Sequence, residues 1–463
     1  MSLMASRLGA SCAVAALLAA TALATPAPAE TLTDALVQAY QYNPQILAQR
    51  AQLRATDEGV PQALAGWRPT VQFTGSAGRE IAETTNNVAN KQVTGTQYLT
   101  PRTLDLNITE PVWTSGRTPA LIRQAEHNVL AQRAQTIAIE EQVLFSVAQA
   151  FLDVVRDQAT VGLNINNEQV LRRQLEATND QFRVGEVTRT DVAQAESRVA
   201  LAVATRVQAE GNLQVSRSNY ARAVGHPPEK LAQPKERVDL PATRDEALAL
   251  ARAQNPNVII ADYTAKAAED AVVATRAQLL PQVAVVGDAN KAEETQIEGR
   301  NINSLSVIAR MTVPLYEAGS VYAQTRAAKQ TVSQKRDLLD DARRVAIQLA
   351  TKDWETIQSG RAQVQSLMST IRAAEIALEG VRQEAQVGSR TVLDVLNAEQ
   401  ELFTDRVNLV QAQHDLAVAE FDLAQQVGHL TAEYMKLPVQ LYDPKKHYDE
   451  VRNKWIGFGS KGQ

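Results

Sequence analysis

The side chains best placed for chemistry are two aspartates and an arginine held in a doubled frame. Val184-Gly185-Glu186-Val187-Thr188-Arg189-Thr190-Asp191-Val192-Ala193-Gln194-Ala195-Glu196 returns as Val387-Gly388-Ser389-Arg390-Thr391-Val392-Leu393-Asp394-Val395-Leu396-Asn397-Ala398-Glu399, and both read V-G-x-x-T-x-x-D-V-x-x-A-E. Asp191 and Asp394 each stand six residues after their glycine. A carboxylate so placed falls in the first turn of a helix, where the helix dipole favours it. The glycine permits a tight turn between antiparallel helices. The chemistry on offer is therefore electrostatic rather than covalent.

Other reactive residues are sparse. His226 and His429 follow Gly225 and Gly428, and their repeat symmetry reads as helix C-caps or plain termini rather than a metal site. His127, His414 and His447 read as isolated. No H-E-x-x-H, P-loop or G-x-S-x-G is present, so nothing supports catalysis, a cofactor or a metal. The Asn107-Ile108-Thr109 sequon reads as strand residues.

The frame belongs to a whole-chain duplication. The offset of 203 that joins the two motifs also joins Pro111 to Pro314, Gly116 to Gly319, Arg123 to Arg326 and Gly225 to Gly428. Upstream, Asn43-Pro44, Pro69 and Gly75 match Asn255-Pro256, Pro281 and Gly287 at 212. A repeat of this kind governs the fold. The two units are 30–240 and 241–430, and 431–463 is a tail expected in the periplasm.

Each unit orders its elements alike. A first helix of about 35 residues (33–66 and 244–278) ends at a proline. A β-hairpin follows, 69–113 and 281–316, with period-2 alternation at Leu104, Leu106 and Ile108 and again at Leu305, Val307, Ala309, Met311 and Val313. The stretches 79–102 and 288–303 between the strands read as polar loops. Then come long helices, 117–184 and 320–387, with Pro119 in a first turn that tolerates it. Ile137, Leu144 and Phe151, with Val147 and Val154, form a coiled-coil seam. Some 68 residues at 1.5 Å each span roughly 100 Å. Return helices, 189–224 and 392–427, complete each unit, and a Pro-rich linker covers 227–241. Each unit is thus one long helix antiparallel to two short ones, mainly α with a small β part.

Composition sets the compartment. Residues 1–29 read as a secretory signal: Arg7 gives the charge, an apolar run follows, and Ala27-Pro28-Ala29 is a cleavage site. Cys12, the only cysteine, lies inside it, and Gly9 speaks against lipidation there. The mature chain then has neither disulfides nor thiolate sites. Beyond the signal no apolar run reaches the ~20 residues of a membrane helix. A net charge of −5 gives no reason to invoke nucleic acid.

Four strands cannot close a barrel, and an open sheet edge is not viable in lipid. If the strands span a membrane, three copies supply twelve, an even number in the bacterial range. Patterning leaves two readings open. One is a trimeric duct with a 12-stranded β-barrel continued by a 12-helix α-barrel. The other is a non-conducting, elongated coiled-coil structural or adhesive envelope protein.

The chain resembles the TolC family of outer-membrane efflux and secretion proteins over its whole mature length. The resemblance rests on the doubled motif, the Asn-Pro opening each unit, the strand-closing proline with glycine five residues on, and the helix lengths. Tyr442-Asp443-Pro444, His447-Tyr448 and Lys454-Trp455-Ile456-Gly457 look like the type I secretion branch. The family implies a homotrimer in Gram-negative outer-membrane lipid that reaches into the periplasm. It implies docking of an inner-membrane ABC or RND transporter through a periplasmic adaptor. By the same resemblance Val184, Gly185, Val387 and Gly388 meet the adaptor, and Asp394 lines the entrance as an acidic ring with Asp191 nearby. Arg390 matches a gating arginine. Asn397 stands where the family often has a second aspartate, and Ala385 where it has a latching tyrosine. The resemblance implies that Arg390 bonds the Thr188–Asp191 turn at rest.

Overall fold

A computed structural model of the chain describes residues 29–88, 91–233 and 238–459. The proposed signal and part of the linker therefore lie outside the described residues.

The first helix of each unit is broken where a single helix is expected. In the first unit α1 (Leu32–Tyr42), α2 (Pro44–Asp57) and α3 (Gly59–Leu64) follow one another; in the second, α6 (Arg244–Gln254) and α7 (Pro256–Arg276) do. The α2–α3 break at Glu58 keeps helical backbone, whereas the breaks at Asn43 and Asn255 are extended, with ψ near 125°. Proline at the next position disfavours helical backbone in the residue before it. Each asparagine accepts the N–H of the residue two on, at 2.9 Å, and so caps the new helix. Each also donates at 3.0 Å to a carbonyl at the end of its unit's return helix, Ala223 for Asn43 and Gln426 for Asn255. The same asparagine thus joins the two short helices end to end against the long one.

The long helices are α4 (Arg117–Arg183) and α8 (Ser320–Gln386), 67 residues each. The returns are α5 (Arg189–Val224) and α9 (Val392–Gln426). Of the expected seam, Leu144, Val147, Phe151 and Val154 are fully buried, while Ile137 is exposed. These four sit near the middle of α4. Leu32 and Leu36 of α1, Tyr220 of α5, Phe421 of α9 and Leu430, just past α9, pack around them. The largest core is thus a belt halfway down the helices, and the ends carry only small clusters.

The strands are β1 (Thr70–Ala77), β2 (Glu80–Val88), β3 (Lys91–Leu99), β4 (Arg102–Trp113), β5 (Gln282–Glu293) and β6 (Asn301–Thr312). Antiparallel β1-β4-β5-β6 form one sheet, so both units share it. Residues 80–88 and 91–99 are a second, two-stranded ribbon instead of the expected loop, and β5 and β6 continue well into the other. The register sorts the main sheet into two faces. Phe73, Leu106, Ala289 and Leu305 stand in line across one, and Val71, Ile108, Gly287 and Val307 beside them. Across the other stand Gln72, Asn107, Asp288 and Ser306, then Thr74, Asp105, Asn290 and Ser304. Asn107 and Thr109 are strand residues, as expected.

Candidate functional site

The doubled motif forms the two turns at the end of the helices opposite the sheet. Gly185 and Gly388 have φ of +83° and +79°. In the first turn the N–H of Gly185 donates to Phe182 and that of Glu186 to Gln181; in the second Gly388 donates to Ala385 and Ser389 to Glu384. This paired pattern satisfies the last carbonyls of a helix and needs a left-handed residue in the middle. A side chain added at either glycine would meet nothing within 4 Å, so backbone conformation alone selects glycine there.

The next helix begins at once. Thr188 and Thr391 are N-caps, and Asp191 and Asp394 complete capping boxes. Each aspartate accepts from its threonine's N–H at 2.9 Å and from its hydroxyl at 2.7 or 2.8 Å. Those bonds hold both carboxyls below the ordinary aspartate range: the Thr188 side chain leads at Asp191, the Thr391 backbone at Asp394. Both are anionic at neutral pH and open to solvent. Val395 and Ala195 are buried behind them, and Glu399 takes a bond from Arg382. Local structure thus accounts for most of the motif. It does not account for Val184 and Val387, which are 72% and 77% exposed at the extreme end of the molecule.

Two links at the tip were invisible in the sequence. Within one chain Arg390 does not reach the Thr188–Asp191 turn; its Nε donates to Glu384 in its own hairpin, at 2.8 Å. The hairpins are joined instead by Arg198 of α5, which donates to Oδ1 of Asn397 in α9 at 2.9 Å. Leu396 seats beside that bond against Leu171, Ala195 and Ala202. Farther up, Glu168 of α4 accepts from Arg206 of α5 at 2.6 Å and from Arg172 at 2.8 Å.

Three histidines read as isolated face carboxylates. His127 lies 2.8 Å from Asp270, His447 3.2 Å from Asp57, and His414 2.9 Å from Asp153. His429 stacks on Tyr434 at 3.8 Å, and burial lowers its pKa, so it is not a charged helix cap. Among the described residues no cluster of three or more metal-ligating side chains occurs, and no helix is long and apolar enough to cross a membrane.

The family profile of outer membrane efflux proteins matches residues 35–226 and 247–429, one match per unit. The chain belongs to that family. It is 34% identical over 453 residues to the outer membrane efflux protein BepC of Brucella suis biovar 1, covering 96% of both chains. It is 27% identical over 289 residues to the alkaline protease secretion protein AprF of Pseudomonas aeruginosa, 60% of each. Its fold is that of the outer membrane protein VceC from Vibrio cholerae, with a TM-score of 0.76 at 20% identity over 86% of this chain and 96% of that one. The family is a transport family of the Gram-negative outer membrane, and this chain is one of its TolC-like channels.

Proposed function

We propose that three copies of this chain form a passive exit duct across the periplasm and outer membrane, without catalysis of its own. The observation that carries this is the four-stranded sheet. It has one apolar and one polar face, and among the described residues its outer strands β1 and β6 have no strand on their far sides. Lipid does not tolerate such edges. β6 of one copy pairs with β1 of the next, and three copies close twelve strands around a polar lumen. The helices below continue the duct. Val184, Gly185, Val387 and Gly388 dock a periplasmic adaptor, which couples the duct to an inner-membrane ABC or RND transporter. Asp394, with Asp191, Arg390 and Asn397, forms the entrance, where three copies of the anionic aspartates favour cations.

Both cargo classes have support: BepC is named for efflux and AprF for protease secretion. Outer-membrane fractionation with crosslinking should give trimers, and purified protein should give single-channel steps in planar bilayers. A stable monomer in the membrane, or trimers that never conduct, would return the coiled-coil structural reading.

A further inference from the structure

The tail beyond α9 climbs the helices toward the strands and ends in an exposed apolar group. Tyr442 donates its N–H to the Tyr40 hydroxyl at 2.9 Å. His447, in the short helix α10 (Lys446–Val451), meets the fully buried Asp57 of α2, and Arg452 bonds Glu126 of α4 at 3.0 Å. Arg68, two residues before β1, then donates to the carbonyl of Lys454 at 2.8 Å and lies 5.0 Å over the Trp455 ring. The strap is therefore anchored at the root of the strands. The side chains past that anchor are largely unpacked: Trp455 is 65% exposed, Ile456 89%, and Phe458 fully so.

We propose that Trp455, Ile456 and Phe458 insert into the periplasmic leaflet of the outer membrane, making the tail a second lipid contact beside the sheet. Three observations favour lipid over other occupants. The group is tied to Arg68, two residues before β1, and at that same end of the sheet Trp113, which ends β4 opposite Val283 of the apolar face, is itself exposed. The tail group and Trp113 thus both stand at the helix end of the sheet whose apolar face is proposed to meet lipid. Indole and phenyl rings concentrate at that boundary, where one end is apolar and the other wet. The rings are flanked by Arg68 and Lys454, whose partners among the described residues are carbonyl oxygens and a ring rather than a carboxylate, and such cations suit anionic headgroups at an interface.

The proposal rests on the sheet being the membrane-spanning part, and the test separates the two. Cys12 is removed as Cys12→Ser, and an NBD fluorophore is placed on Ile456→Cys, with Leu106→Cys labelled as sheet control and Ser389→Cys as tip control. The full-length protein is reconstituted in phosphatidylethanolamine–phosphatidylglycerol vesicles, with or without a shallow doxyl-labelled phosphatidylcholine. At position 456 we expect blue-shifted emission, loss of signal with doxyl lipid and protection from aqueous iodide; at 389, iodide quenching only. Doxyl quenching at 106 without any at 456 overturns the tail anchor and leaves the sheet assignment standing. A label at 456 shielded from both quenchers assigns the patch to a neighbouring copy and also overturns it. No doxyl effect at either position removes the membrane assignment of sheet and tail together.

Discussion

Arg198 and Asn397 lie 199 residues apart and are bonded at 2.9 Å, joining return helix α5 of the first unit to return helix α9 of the second. The other polar bonds of the tip stay within one hairpin: Arg206 with Glu168, Arg382 with Glu399, and Arg390 with Glu384. Opening an entrance by moving α8 and α9 away from α4 and α5 leaves those bonds intact and breaks this one. It is the natural place for a latch.

Removing it should therefore loosen the entrance without harming the trimer. The bond is exposed, so it is worth about 1 kcal/mol. That is small against assembly, but three copies act on one aperture. Arg198→Ala and Asn397→Ala should each raise single-channel conductance at unchanged trimer yield. Asn397→Asp should lower it, because the neutral acceptor becomes a charged one. Conductance unchanged in all three would mean the hairpins are held by the apolar seat of Leu396 alone.

Docking should depend on the exposed valines and the glycine turns together. Val184 and Val387 have no packing role in the chain, so Val184→Asp with Val387→Asp should abolish adaptor crosslinking while trimers still form. Alanine at Gly185 or Gly388 finds room but is held left-handed, at a cost of roughly 1–2 kcal/mol. It should weaken docking through a distorted turn. Full export by the double aspartate variant would move the docking site elsewhere.

Neighbouring positions of β4 should differ sharply in tolerance. Leu106 belongs to the apolar face and Asn107 to the polar one. Arginine facing the bilayer midplane costs roughly 2–4 kcal/mol. Leu106→Arg should lower the yield of assembled, heat-resistant trimer, and Asn107→Arg should alter conductance instead. Equal yields would reject the lipid face.

Asn43 and Asn255 are expected to matter more than exposed caps usually do. Each caps one helix and also bonds the end of another, so alanine should remove the cap, about 1 kcal/mol, and leave a partly buried carbonyl unpaired. Denaturant midpoints of the two variants should fall by similar amounts. A fall in only one would show that the units do not share this device equally.

The tip was legible because it is written twice. Gly and Asp recur at spacings that fix a turn and a first-turn carboxylate, and the structure has both; the threonine caps that bind the aspartates come from the structure. The breaks at Asn43 and Asn255 were hidden because proline at a first helical position looks the same inside a continuous amphipathic run as at a new start. The ribbon of β2 and β3 was hidden for a different reason. Its strands carry polar residues on both faces (Thr84, Thr85, Thr94 and Thr96), so no apolar alternation marks them. Neither Arg198–Asn397 nor His447–Asp57 could be read, because neither is repeated: Gln194 and Glu401 occupy the positions matching Asn397 and Arg198.

Stability should also depend on pH through the middle belt. Glu141 sits there on α4, 1% exposed, and burial, aided by the charge of Glu140, pushes its pKa from 4.5 up to about 9. The folded chain thus holds a proton that the unfolded chain loses above 4.5. That contribution is fully present below pH 4.5 and shrinks as pH rises towards 9, by at most about 1.4 kcal/mol per pH unit. Asp353, raised to about 7 by burial and by Asp422, adds a similar decline that ends near pH 7. His414 is also raised from 6.5, so it is the difference between the Glu141 variant and the parent from pH 7 to 9, not the interval alone, that isolates Glu141. Glu141→Gln keeps the shape and the neutral charge, so it should match the parent protein at pH 5 and exceed its thermal midpoint at pH 8.5. Asp353→Asn should narrow the difference between pH 5 and 7 but not that between 7 and 8.5. A Gln variant that loses stability above pH 7 as steeply as the parent would show that Glu141 is ionised in the folded belt, held by a partner supplied by the assembled trimer.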